Sequence, residues 1–210
     1  MRLFRSFPAL FVLAGCAGSP AVPHYGAPPP AMTASASGHC PKYSKGSGIL
    51  VDGDFHDVAD PASYATFSKG QHLAPKWTVT ANTVDLAGTT FWNFDHLCSV
   101  DLDGTSAVGG IEHSGIATQK GATYSLTFLM SGNSYCGATI KKMQVSGGNK
   151  NVVFKWNDAN GNSVEYGKFK RRQMTFAAAG PSTTLKLTSL DAAGSGCGPV
   201  IGALSVTRVR

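Results

Sequence analysis

The sequence predicts an all-β, antiparallel sandwich, and three observations carry that prediction. Short apolar or β-branched runs recur after Cys40, Gly, Asn and Asp interrupt them, and no long stretch shows the period of an amphipathic helix. In such a sandwich each strand buries one face and wets the other.

The runs follow in order. Ile49-Leu50-Val51 precedes the turn residues Asp52-Gly53-Asp54, and Trp77–Leu86 alternates around a break at Ala81-Asn82. Ser99–Leu102 alternates before Asp103-Gly104, a turn pair whose Asp is expected to cap backbone amides. Glu112-His113 lies in a strand-like run with one side chain facing out. Thr123–Met130 directs Tyr124, Leu126 and Phe128 to one face, and Ile140–Val145, Asn151–Trp156, Lys168–Phe176, Thr183–Leu190 and Val200–Val209 continue the series. Asn160-Gly161 is a tight-turn signal between two of them.

The first residues read as an address. Arg2 and Arg5 precede an apolar run, Phe7–Leu13, that is too short to span a bilayer, and Leu13-Ala14-Gly15-Cys16 follows at once. This tetrapeptide resembles the lipobox of bacterial lipoproteins. The resemblance implies cleavage before Cys16, lipidation of its thiol and acylation of its amine. Ala17, in place of Asp, favours the outer membrane of a Gram-negative envelope. Residues 1–15 are thus expected to be a signal peptide and 16–39 a lipidated Pro/Ala/Ser-rich tether, with Pro28-Pro29-Pro30 extending it. Residues 40–210 form the sandwich domain, a normal length for one core.

Charge and motif spacing exclude several classes. The chain carries +6, which falls to +4 without Arg2 and Arg5, since residues 1–15 hold no carboxylate. Lys141-Lys142 and Lys168–Arg172 are its local basic clusters, and nothing resembles a recognition helix, so nucleic acid is no expected partner. The six histidines show neither His-x-His nor His-x-x-x-His spacing, and no Cys-x-x-Cys occurs, so neither a metal nor another cofactor is predicted. No Gly-x-Ser-x-Gly elbow or phosphate loop is present. Ten Asp and two Glu leave few carboxyl pairs for a glycosidase, and no catalytic residue is assigned. Besides Cys16 there are four cysteines, which allow three connectivities; Cys136–Cys197 and Cys40–Cys98 are the favoured pairs.

The order of motifs resembles the choice-of-anchor C proteins of the domain-of-unknown-function-642 group. It is carried by Ile49–Phe55, Trp77–Val79, Val84-Asp85-Leu86, Phe91-Trp92, Ser99–Gly104, Gly121–Phe128, Ser131-Gly132-Asn133, Ser182–Leu190 and Gly198–Ile201. The resemblance implies a galactose-binding-domain-like jelly roll, the architecture of many carbohydrate-binding modules, and a core role for Trp77. It also implies a structural calcium ion between the first and last strands, held by a Glu and an Asp. His56 and Gly202 stand at those places, so no tight calcium site is predicted, although Asp52, Asp54 and Asp57 lie close by.

A sugar presents apolar C–H faces and polar edges, so its site needs an aromatic platform beside amide, hydroxyl or carboxylate groups. The aromatic candidates are Phe91, Trp92, Tyr135, Trp156 and Tyr166; Trp92, Tyr135 and Trp156, with Asp85 and Asn93, form the predicted ligand site. The predicted function is a lipid-anchored, non-catalytic module binding a cell-wall or extracellular polysaccharide. The alternative is a structural lipoprotein that holds another envelope protein, and a hydrolase ranks below both.

Overall fold

A computed structural model describes residues 38–91, 97–105, 107–133, 140–156, 169–192 and 196–209. Fourteen strands run through them: β1 (Tyr64–Ser68), β2 (His72–Ala74), β3 (Trp77–Ala81), β4 (Thr83–Ala87), β5 (Ser99–Asp101), β6 (Asp103–Gly104), β7 (Ala107–Val108), β8 (Gly110–Ala117), β9 (Thr123–Gly132), β10 (Lys141–Gly147), β11 (Lys150–Trp156), β12 (Lys170–Ala177), β13 (Ser182–Ser189) and β14 (Pro199–Arg208). No helix occurs among the described residues.

Two antiparallel six-stranded sheets face each other, ordered β1-β4-β5-β14-β9-β12 and β11-β10-β13-β8-β3-β2, with β6-β7 as a separate two-stranded ribbon. The chain passes repeatedly from one sheet to the other, which is the jelly-roll arrangement. Alternation dictates the layering. Leu126, Phe128 and Met130 of β9 meet Met143 and Val145 of β10 and Leu185 and Leu187 of β13 in one buried cluster. Phe128 of the first sheet and Phe154 of the second pack edge to face, with ring centroids 5.1 Å apart.

The Trp77–Leu86 run is one alternation in the sequence but two strands in space. Asn82 takes a positive φ of 33°, a conformation its short polar side chain tolerates, and the chain leaves the second sheet as β3 to enter the first as β4. Two expectations are corrected. Ile49-Leu50-Val51 forms turns rather than a strand; Leu50 is buried, while Ile49 and Val51 are 41% and 49% exposed. Asp103-Gly104 is no turn but strand β6, paired with Ala107–Val108.

The segment before β1 completes the first sheet where β5 stops. Ile49 N donates to Val206 O, Val206 N to Ser47 O, and Leu204 N to Gly53 O. Trp77 fixes this segment from the second sheet. Its ring is fully buried against Phe55, centroids 5.5 Å apart, and its Nε1–H donates to Asp52 O. His113, buried on the inner face of β8 beside half-buried Glu112, donates from Nε2 to Val51 O at 2.9 Å. The Cys40–Cys98 disulfide joins this segment to the approach to β5. Cys197 is disulfide-bonded as well; Cys136, its expected partner, lies outside the described residues.

Trp77→Ala removes both the ring and its clamp on Asp52. It should destabilise the fold by about 3–5 kcal/mol, read as a lower denaturation midpoint with an unchanged m-value.

Candidate functional site

The outer face of the β1-β4-β5 edge is where polar and aromatic side chains gather. Val84 and Leu86 of β4 point into the core, so Asp85 points outward between them. Strand register sets Thr66 opposite Asp85 and Tyr64 opposite Ala87, on the same face. Thr66 Oγ1–H donates to Asp85 Oδ1 at 2.6 Å. The β6-β7 ribbon folds across β4, close enough that a side chain on Gly104 would strike Thr83. It brings Thr105 to the same spot, with Thr105 Oγ1 3.1 Å from Thr66 Oγ1. Thr66 and Thr105 are exposed and Asp85 is half-buried. Burial raises the Asp85 carboxyl above its ordinary value, and hydrogen bonds from Thr66 and Thr105 hold back part of that rise.

Beside this polar group lies an aromatic pair. Tyr64 and Phe91, both half-buried, have ring centroids 5.4 Å apart at 39°. Phe91 rests on Ala87 and Val200, the apolar continuation of the face, with Phe169.

Asp101 lies one strand away, paired in register with Asp85 on β4 and Val200 on β14. It is 3% exposed. Its Oδ1 accepts from Asp103 N and Gly198 N, both at 2.9 Å, and its Oδ2 accepts from Asn133 Nδ2 at 2.7 Å. Burial lifts its carboxyl well above the ordinary range; the donors oppose this, while the fields of Asp103 and Asp85 add to it. A side chain on Gly198 would lie 2.6 Å from Asp103 Cγ and 2.7 Å from Asp101 Oδ1, so this close approach needs a glycine.

Of the predicted ligand residues, Asp85 lies among the hydroxyls and aromatic rings of this outer face. Trp156 is 4% exposed and belongs to the core cluster, its ring edge against Gly132. Trp92, Asn93 and Tyr135 lie outside the described residues, as does Cys16. Sequence reasoning missed Tyr64, Thr66 and Thr105. The first two sit on a five-residue strand of weak alternation, and Thr105 reaches Asp85 only through the ribbon.

The calcium ion that the family pattern implies does not fit the residues at the other end of β14. Asp52, Asp54 and His56 present ligand-type atoms within 4.8 Å of one another. His56 Nδ1 lies 2.6 Å from Asp54 Oδ1 and 2.9 Å from Asp52 Oδ1, so the imidazole fills the gap between the two carboxylates. Gly202 adds no side-chain oxygen, and Asp54 Oδ2 already accepts from Tyr43 N at 2.7 Å. Calcium prefers six to eight oxygen ligands. When protonated, the imidazole brings its own positive charge to this corner. Burial by itself would depress His56, but the hydrogen bond to Asp54 and the fields of Asp54, Asp52 and Asp57 outweigh it and leave the group above its ordinary value. Asp52 is raised by burial, and its Oδ2 is buried without a hydrogen-bond partner.

Fold and site together define a jelly-roll sandwich that carries a polar and aromatic patch on the outer face of one sheet. The chain belongs to the family described as protein of unknown function DUF642, whose model matches residues 48–207. A comparison with curated proteins gives no match. Among solved structures the chain is similar to a family 35 carbohydrate-binding module from Clostridium thermocellum, at 12% identity and a TM-score of 0.45 over 70% of this chain and 99% of that one. It is also similar to a CBM35 from Paenibacillus barcinonensis, at 12% identity and 0.43 over 68% and 98%. A third similar structure is the C-terminal CBM6 of a laminarinase from Zobellia galactanivorans, at 9% identity and 0.43 over 69% and 99%.

The His56 arrangement sets a direction for stability against pH. The folded-state value of His56 lies above its unfolded value, so its contribution is complete below the unfolded value of 6.5 and is lost as pH rises through the folded one. Melting temperatures from about pH 6 to about pH 9 should fall in the wild type, and His56→Gln should flatten that slope. Calcium or a chelator should leave the midpoints unchanged.

Proposed function

We propose that this protein is a non-catalytic glycan-binding module displayed on a bacterial envelope. One observation carries the reading: the Tyr64–Phe91 pair stands beside Asp85, Thr66 and Thr105 on the outer face of a sheet. Aromatic faces take the C–H surface of a sugar ring, while a carboxylate and hydroxyls take its hydroxyl groups. Passive binding agrees with the carboxyl geometry. A glycosidase needs two carboxyls flanking the scissile bond. Asp101, opposite Asp85 in register, is buried with both oxygens already engaged.

The envelope part of the proposal rests on the sequence. Residues 1–15 are a signal peptide, Cys16 is the lipidated first mature residue, and residues 16–39 tether the sandwich domain (40–210) to the outer membrane. The Leu13–Cys16 motif supports this, following a charged start and a short apolar run. Several acyl chains anchor a protein far better than one, since each buried CH₂ contributes roughly 0.8 kcal/mol.

Two experiments test these parts separately. On a glycan array, the full chain in neutral detergent micelles should bind at least one polysaccharide. Tyr64→Leu, which keeps apolar bulk but removes the flat ring, should lower that affinity by about tenfold, the order of 1.4 kcal/mol, while circular dichroism stays unchanged. An empty array, together with capture of one outer-membrane protein by the same face, would favour protein recognition instead. For the anchor, Cys16→Ser should move the protein from the membrane to the soluble fraction and abolish palmitate labelling; labelling that persists would exclude Cys16.

A further inference from the structure

At the other end of β14, the turn Asp52-Gly53-Asp54-Phe55-His56-Asp57 sets a donor side chain at every second residue from 52 to 56. Asp52, Asp54 and His56 each offer one ligand-type atom, all within 4.8 Å of one another. Asp52 and Asp54 are 4% and 1% exposed, and the His56 side chain, 25% exposed, opens the group to solvent. The turn is held from outside: Trp77 Nε1–H donates to Asp52 O, Leu204 N to Gly53 O and Tyr43 N to Asp54 Oδ2. The donors are therefore fixed before any ligand arrives.

Two further observations point to a cation. The Asp52 side chain is fully buried, yet its Oδ2 has no hydrogen-bond partner among the described residues. Leaving such an oxygen unpaired is unfavourable, and a cation on the same carboxylate would offset that. His56 also has the outer support usual for a metal-bound imidazole. Its Nε2 lies 3.3 Å from Asp57 Oδ1, while Nδ1 faces Asp54 Oδ1 at 2.6 Å and Asp52 Oδ1 at 2.9 Å. When Nδ1 carries no proton, its lone pair faces the point where those two oxygens converge. Cys40, Asp60 and Cys98 form the other grouping of this kind among the described residues, but both sulfurs are tied in a disulfide.

We propose that Asp52, Asp54 and His56 form a site for zinc or a similar borderline divalent ion rather than calcium, with Asp57 orienting the imidazole. Zinc takes imidazole and carboxylate ligands at about 2.0–2.2 Å in a tetrahedron, which sets ligand atoms roughly 3.3 Å apart. That is a small widening of the 2.6 and 2.9 Å contacts. Water completes the fourth position on the exposed side. Calcium asks for six to eight oxygens, and an imidazole among so few donors turns selection toward zinc. The ion and the Nδ1 proton compete for one position, so uptake by the charged imidazole releases a proton. Bound there, zinc clasps the turn that Trp77 and Leu204 already hold.

Isothermal titration of the full chain in neutral detergent tests the site. With only three protein donors the ion exchanges readily, so dialysis against a chelator gives the metal-free starting state. Zinc should bind the wild type at one tight equivalent and His56→Gln at least tenfold more weakly. Asp57→Asn, at a side chain 51% exposed, should cost about tenfold with circular dichroism unchanged. His72→Gln, on another strand, should match the wild type. Cobalt(II), read by visible absorption, should report a tetrahedral ion in the wild type and lose that signature in His56→Gln. Saturating zinc should raise the denaturation midpoint of the wild type but not of His56→Gln. Equal zinc affinity in wild type and His56→Gln would overturn the site, because the ion would then sit elsewhere in the chain. Failure of the wild type to bind zinc would overturn it too, and calcium bound as tightly as zinc would overturn the choice of ion. None of these outcomes touches the glycan reading, which rests on the other face.

Discussion

The Asp101 carboxylate lies on the side of its sheet that ordinarily meets water, yet it is 3% exposed, and the surrounding loops are arranged around it. Burying an ionised carboxyl costs several kcal/mol even after relaxation. Three donors engage it, from Asp103, Gly198 and Asn133. Hydrogen bonds to a charged group contribute roughly 1.5–3 kcal/mol each, so the three offset part of that cost, and burial still leaves the carboxyl well above its ordinary range. They also tie three chain segments to one point: the ribbon that starts at Asp103, the end of β9, and the approach to β14. The ribbon in turn delivers Thr105 to Asp85. The polar half of the outer-face site is therefore a consequence of a buried charge one strand away.

The inner core is held by different means. Its contacts are apolar and its register follows from alternation, so it would tolerate conservative exchange of side chains. The outer-face network would not. Asp101 has both oxygens occupied by donors, and Gly198 has no room for a methyl group. The same contrast recurs at the other end of β14. There the carboxylates of Asp52 and Asp54 converge on His56 rather than on an ion, and the charge balance of that corner becomes a matter of protons.

Much of the architecture was legible in the residues. Thr123–Met130 and Thr183–Leu190 announce their inner faces by strict alternation, and both are strands of the sandwich. The break at Ala81-Asn82 was visible too, although not that it transfers the chain between sheets. The Cys40–Cys98 pair was anticipated and is present. The site was harder to read. Asp85 could be named because it stands in the Val84-Asp85-Leu86 motif, a carboxylate on a strand. Tyr64 and Thr66 could not, because an edge strand with one wet face and an intermediate inner face, YATFS, has little periodicity to detect. Trp156 attracted attention because it precedes Asn157-Asp158, as a binding-loop aromatic would. Its neighbour Gly132 fits its actual place: a side chain at 132 would strike the edge of the indole, which is buried in the core.

Asp85 and Asp101 share one sheet face but are held by different kinds of partner. The two are cross-strand partners, close enough that each feels the other's charge. Backbone amides, which do not move, occupy one oxygen of Asp101, and a neighbouring amide side chain occupies the other. Asp85 is met largely by hydroxyls on exposed threonines, which can rotate and exchange one partner for another at small cost. A ligand hydroxyl can therefore compete at Asp85 without dismantling the fold, whereas nothing can compete at Asp101 without first releasing the Gly198 loop. In the proposed reading a ligand meets the carboxylate whose partners are replaceable, while the one with fixed partners holds the start of the ribbon.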